Sequence, residues 1–253
     1  MEEYIDKFNQ FEKCAVYDFW LGNGGIGDCI KFFMLFLDTC IKQNVRLYYK
    51  KNNIPIEKYI KLKYEQMYIT PEELGQMQNV SVLTPNMYYY IQDQYTYSMK
   101  VGKVFYFTEQ VLDNSAKILQ LPENITNYMS IHLRLGDKYL ETDSRYVLCH
   151  NDSRFFNEEN ICQFIEQNPN EAIFFCCDNS SFKLKLKERY NNLLVSTCAI
   201  GHTSLSNTTE QQMLDAVSEF HILSNSTKLY CGSLSGFSLV AAKFKNIPLF
   251  NLY

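Results

Sequence analysis

The second half of the chain alternates short strand-forming runs with segments of helix length, and few folds accommodate that alternation. Residues 128–133 alternate and are rich in strand-formers, and residues 172–177, 193–195, 229–231 and 248–250 are short apolar runs, which predicts strands. Residues 157–167, 180–190, 208–224 and 237–245 predict helices, the second of them basic and amphipathic. The longest puts Met213, Val217 and Phe220 on one side. Strand and helix in regular succession imply a parallel, Rossmann-like α/β sheet. Such sheets bind ligands in the crevice outside the carboxyl ends of their strands.

The first half opens in the same manner. Residues 14–21 predict a strand and residues 29–41 a helix, with Gly22-Asn23-Gly24-Gly25-Ile26-Gly27-Asp28 between them. Strand, glycine loop and helix together point backbone N–H groups and a positive helix end at an anion. The loop has neither the Gly-Lys-Ser/Thr of a P-loop nor a G-x-G-x-x-G pattern, so on its own it reads as a tight turn. Further strands are expected at 45–49, 80–83 and 103–107, and a helix at 108–121 with Thr108 as its cap. Residues 50–78 are broken by Pro55, Pro71 and Gly75. Tyrosines crowd residues 87–97, which suits stacking of sugar rings or ordinary half-burial. Pro122-Glu123-Asn124 marks a hinge, which divides the chain into 1–122 and 123–253.

Residues 130–138 read Ser-Ile-His-Leu-Arg-Leu-Gly-Asp-Lys. The strand ends near Arg134 and Gly136 turns the chain, so a guanidinium, the His132 imidazole and loop amides meet at the lip of the sheet. A planar guanidinium holds two oxygens of a diphosphate at once and never loses its charge. The plain alternative is a local ion pair between Arg134 and Asp137 that fixes the turn. Cys176-Cys177-Asp178-Asn179 ends the next buried strand with a carboxylate, which otherwise caps the helix starting at Ser180. Later, Glu219-Phe220-His221-Ile222-Leu223-Ser224 is followed by Cys231-Gly232-Ser233-Leu234-Ser235-Gly236-Phe237-Ser238. Serine hydroxyls and free amides at that helix start suit phosphate oxygens, or simply cap the helix.

The His-x-Arg-x-Gly-Asp of residues 132–137 resembles the donor-binding motif of the GT-B fucosyltransferases, the α1,2-, α1,6- and protein-O-fucosyltransferase superfamily. The glycine loop is similar to that family's Gly-Gly-x-Gly-Asn, with Asp28 in place of the Asn, and residues 219–238 resemble its C-terminal motif. The resemblance implies a GT-B-like α/β fold of two facing Rossmann-like domains with mostly parallel sheets. The acceptor would lie on the first domain and GDP-fucose on the second, with inversion at the anomeric carbon. It further implies a donor site of Gly24, Gly25, His132, Arg134, Asp137, Asp178, Glu219, Ser233, Ser235, Gly236, Phe237 and Ser238. Glu219 would recognise the base, where the family usually has Asp, because a carboxylate matches the adjacent N1–H and N2–H donors of guanine. Catalysis would fall to Arg134, which neutralises the departing GDP, and to Asp28 as general base. The plain alternatives are a solvated Glu219 and an Asp28 that caps a helix starting at Cys29. Gly-x-Gly-Asp is also similar to heptosyltransferases, which leaves other GDP- or ADP-linked sugars open. A non-catalytic nucleotide-sugar or glycan-binding module is the reading of a different class.

Composition narrows the partners. A net charge of -4 over 253 residues argues against a nucleic-acid surface. The longest apolar run, residues 32–37, is too short to span a bilayer, and residues 1–10 are too acidic and polar for a signal peptide. Nine cysteines without a C-x-x-C spacing suit reduced thiols, and the chain is expected in the cytoplasm. Asn-x-Ser/Thr sequons, such as those at Asn124, Asn151, Asn179, Asn207 and Asn225, would matter only in a secretory lumen. There is no Asp-x-Asp string, and the four histidines are scattered, so no metal site is expected. The charge of a diphosphate would then be met by Arg134, a helix N-terminus and a lysine.

Overall fold

Two separate parallel sheets organise the chain. The computed structural model describes residues 1–85, 97–121, 125–141, 149–199 and 201–253. In chain order the first half contains α1 (Glu2–Asp6), β1 (Lys13–Tyr17), α2 (Ile26–Gln43), β2 (Val45–Lys50), β3 (Ile60–Leu62), β4 (Tyr68–Ile69), α3 (Pro71–Gly75), β5 (Val80–Leu83), β6 (Phe105–Phe107) and α4 (Glu109–Leu119). Its sheet runs β4-β2-β1-β5, every pairing parallel. The second half contains β7 (Met129–Leu133), α5 (Glu158–Gln167), β8 (Ile173–Cys177), α6 (Ser180–Arg189), β9 (Leu193–Leu194), α7 (Glu210–Asn225), β10 (Leu229–Cys231), α8 (Gly236–Lys245) and β11 (Leu249–Asn251). Its sheet runs β11-β10-β7-β8-β9, again all parallel.

Burial explains why the strands were legible. Every residue of β7 and of β8 is buried, as expected of central strands covered by helices on both faces. One face of the second sheet packs Ile131, Leu133, Phe175 and Cys177 against Ile161 and Ile165 of α5 and Leu186 of α6. The other face belongs to a larger cluster that continues into the first half through α2, α4, α7 and α8. Phe107 of β6 stacks on Phe244 of α8 with ring centroids 4.4 Å apart, one of the joints between the halves.

Several boundaries move for local reasons. β1 stops at Tyr17, and the Asp18 side chain that follows accepts hydrogen bonds from Lys50 Nζ at 2.9 Å and Asn52 Nδ2 at 2.7 Å. α2 starts at Ile26, three residues before the expected Cys29, and Gly25 is its cap. Asp28 therefore lies in the first turn and caps nothing. The strand expected at 103–107 begins at Phe105, after a 3-10 turn over Val101–Lys103, and pairs antiparallel with β3 outside both parallel sheets. Thr108 holds the cap position of α4, but its side chain makes no capping bond. α6 is not a clean amphipath, since Lys183 is buried. Asn179, not Asp178, caps α6, accepting from Phe182 N at 2.8 Å. The hinge at 122–124 and the tyrosines of 87–96 lie outside the described residues; Tyr97 is buried. Among the described residues no helix is long and apolar enough to cross a membrane.

Candidate functional site

Residues that follow the carboxyl ends of β1, β7, β8 and β10 line one cavity of about 1000 Å³. The first half contributes Gly24, Gly25, Asp28 and Lys31, and the second contributes Arg134, Asp178, His202, Glu219 and Phe237 among others. The halves touch at its floor. A Cβ at Gly27 would lie 2.6 Å from the carbonyl carbon of Gly236 and 2.7 Å from Phe237 N, so only glycine lets the start of α2 meet the start of α8.

Arg134 sits at the end of β7 inside a ring of carboxylates. Its Nη1 donates to Asp178 Oδ2 at 2.5 Å and its Nη2 donates to Asp137 Oδ1, while Asp152 Oδ2 lies 4.0 Å away. Asp178 also accepts from Leu135 N at 2.7 Å and Gly136 N at 3.2 Å, occupying the loop amides expected to face an anion. Asp137 accepts from Cys149 N at 3.2 Å and is buried. Gly136 holds φ at +112°, and a Cβ there would lie 2.4 Å from Asp152 O, so the turn requires glycine. The local pairing of Arg134 with Asp137 is thus present, and Asp178 extends it. Two of the five guanidinium N–H donors are used by these bonds.

The glycine loop is met from the other half of the chain. Gly24 N donates to Ser204 Oγ at 3.3 Å, and Ile26 N donates to Thr203 Oγ1 at 3.2 Å. Asp28 accepts from Lys31 Nζ at 3.0 Å and remains 39% exposed at the cavity. Glu219, on α7, is neither solvated nor free. Its Oε1 accepts from Ser196 Oγ and lies 3.4 Å from Lys183 Nζ, and Cys176 Sγ donates to Oε2 at 3.4 Å. Lys183 is only 1% exposed; burial, the largest single influence, pushes its basicity down, but the charge and hydrogen bond of Glu219, with Cys176 and Cys177 beside it, together outweigh that and raise the pKa.

His132 holds the last wall in place. Its Nδ1 lies 3.0 Å from Ser238 Oγ and its ring stacks on Phe237 at 5.0 Å, which fixes the first turn of α8 against β7. Burial, and then the Arg134 charge, lower its pKa to about 3, so the ring is neutral. Ser235 caps α8, accepting from Phe237 N at 3.3 Å. Among the described residues no group of three or more His, Cys, Asp or Glu is placed to hold a metal ion.

No protein-family model matches the sequence, and no curated protein does. Solved structures match it over most of its length. The α-1,6-fucosyltransferase NodZ, soaked with GDP-fucose, superposes with a TM-score of 0.57 at 9% identity, covering 92% of both chains. A mutant of Arabidopsis thaliana FUT1 in complex with GDP gives 0.58 at 10% identity, over 100% of this chain and 74% of that one. POFUT1 in complex with GDP gives 0.55 at 10%, over 96% and 98%. The chain has the fold of the GT-B fucosyltransferases.

Within that GT-B fold, the structure sorts the expected site residues into two groups and adds others to the site. Gly24, Gly25, Asp28, His132, Arg134, Asp137, Asp178, Glu219, Ser235, Gly236 and Phe237 all line the cavity. Ser233 and Ser238 are fully buried behind it: Ser233 Oγ bonds Arg134 N at 2.9 Å and Arg134 O at 2.7 Å, and Ser238 serves His132. They shape the wall and do not face its contents. Residues 201–204, Asp152, Arg154 and Lys243 also belong to the lining or its bonds, although no motif marked them. Their signal is tertiary: Gly24 and Ser204 are 180 positions apart.

Proposed function

We propose that the chain is an inverting glycosyltransferase that moves a sugar, L-fucose from GDP-fucose, onto a hydroxyl of a glycan without a metal ion. The observation that carries this reading is a single cavity in a GT-B fold with Asp28 on the wall from the first half and Arg134 on the wall from the second. The division of labour follows the sheets, with residues 1–122 on the acceptor side and 123–253 holding the nucleotide. Arg134 has donors to spare for diphosphate oxygens, and the start of α8 at Ser235 and Gly236 adds a positive helix end. Glu219 stands at the same cavity for the base, held by Lys183 and Ser196. In the reaction the acceptor oxygen bonds to the anomeric carbon, the bond to the phosphate oxygen breaks, and the acceptor proton passes to the Asp28 carboxylate. Arg134 stabilises the leaving diphosphate, which is the charge that develops in the transition state. The nine free thiols support a reducing compartment, the cytoplasm.

The rival reading is a non-catalytic nucleotide-sugar or glycan-binding module, and in either reading the amides of Leu135 and Gly136 are already filled by Asp178. A thermal-shift panel of GDP, UDP, ADP and CMP, followed by turnover of GDP-fucose, separates the two. A ligand that binds only the folded state raises its melting temperature. A shift with GDP alone, together with turnover, supports the enzyme. A shift without turnover on any acceptor supports the module, and no shift with GDP refutes the donor assignment.

A further inference from the structure

The loop that crosses from the second half to the glycine loop carries a histidine that no motif singled out. Thr203 and Ser204 bind the amides of Ile26 and Gly24, and the residue before them, His202, lines the cavity with its side chain 17% exposed. Its backbone is fixed as well: His202 O accepts from Thr208 Oγ1 at 2.5 Å and from Leu205 N at 2.9 Å. The ring is oriented by Ser204 N, which donates to Nδ1 at 3.2 Å. An Nδ1 that accepts leaves the imidazole proton on Nε2. Nε2 lies 3.8 Å from Asp137 Oδ1, too far for a hydrogen bond. That same Asp137 oxygen accepts from Arg134 Nη2. One carboxylate oxygen therefore already occupies the space between the guanidinium and the imidazole.

We propose that His202 is a diphosphate-binding residue, whose Nε2–H donates to a phosphate oxygen of the nucleotide held by Arg134. This rests on the nucleotide-sugar reading above and assigns a second donor to the same anion. The charged groups around the ring are Arg134, Asp137, Asp178 and Asp28. Burial and the Arg134 charge lower the basicity of His202 against the pull of the carboxylates, which keeps it a neutral donor. Ser204 N–H acts in the same direction, because protonation of Nδ1 would set two donors against each other.

Calorimetric titration of GDP and of guanosine into the parent protein, His202→Ala and His202→Gln tests the assignment. A hydrogen bond to a charged group is worth roughly tenfold or more in affinity. Alanine is expected to weaken GDP by that factor and to leave guanosine unchanged, while glutamine, with an N–H at similar reach, restores most of the loss. Equal GDP affinity in folded His202→Ala overturns the assignment, and so does an equal loss for guanosine, which marks a merely structural role. A parent protein that binds no GDP overturns the donor reading itself, and this assignment with it. Nitrogen-15 spectra of the parent's histidine rings decide the matter if the alanine variant does not fold. The Nε2–H tautomer with a GDP-dependent shift is expected, and an Nδ1–H tautomer would overturn the proposal.

Discussion

His132 makes the fold sensitive to acid in a way that can be calculated. The imidazole lies in the middle of the second sheet, opposite Cys176 on one side and Cys231 on the other, and it is 5% exposed. Folding lowers its pKa from 6.5 to about 3, through burial first and the Arg134 charge second. The folded state thus binds the proton more weakly than the unfolded chain. The sign follows: the contribution to stability is complete above pH 6.5 and is lost as pH falls toward 3, at about 1.4 kcal/mol per unit. Between pH 7 and pH 5 this one group removes about 2 kcal/mol. His132→Gln deletes the titration and keeps a polar partner for Ser238. Urea unfolding of the parent and the variant at both pH values isolates the effect, because His202 and His221 titrate in both proteins. The variant is expected to lose about 2 kcal/mol less than the parent over this interval. Equal losses in the two proteins would show that His132 is not held neutral, and that the account of the α8 anchor is wrong.

Three further outcomes follow from the same contacts. Asp28→Asn removes a proton acceptor without removing a cap, since Gly25 caps α2, and it weakens only a half-exposed pair with Lys31. Stability should hold within about 1 kcal/mol while transfer falls roughly a hundredfold, and transfer at the parental rate would leave Asp28 without a catalytic role. Arg134→Lys keeps the charge but cannot span Asp137 and Asp178 together, so transfer is expected to drop by about a hundredfold or more; near-parental kcat/KM would refute the diphosphate role. Lys183→Met leaves the Glu219 carboxylate without its buried cation and should cost about 3 kcal/mol or more in urea unfolding, most of it recovered when Glu219→Gln is added. A single variant as stable as the parent would remove the pair from the argument.

The fold and the site were legible in the sequence to different depths. Apolar runs and helix-length segments located the parallel strands along the chain, because a strand covered on both faces is buried throughout, as β7 and β8 are, although β7 carries Ser130 and His132 among its apolar residues. The same local logic placed the glycine loop before α2, Arg134 at the end of β7 and the serine turn before α8. Periodicity, however, reports only which face of an element is apolar. It does not say which partner a polar group finds. Asp178 sits one residue before the cap of α6 and looks like a cap, yet the Leu135 and Gly136 amides more than forty positions earlier take its carboxylate. Lys183 lies on a helix that reads as basic and amphipathic, yet Glu219 and Ser196 draw its charge inside. β6 was a plausible member of the parallel sheet until β3, more than forty residues earlier, paired with it in the opposite sense. His202 carries no motif at all; it joins the cavity because Thr203 and Ser204 bond a glycine loop that lies 177 and 180 positions earlier in the chain. The sequence by itself determined where backbone can bury apolar surface, which is a local property. Only the tertiary structure decided how charges and donors are paired, because a buried polar group takes whichever partner the packed chain brings within reach.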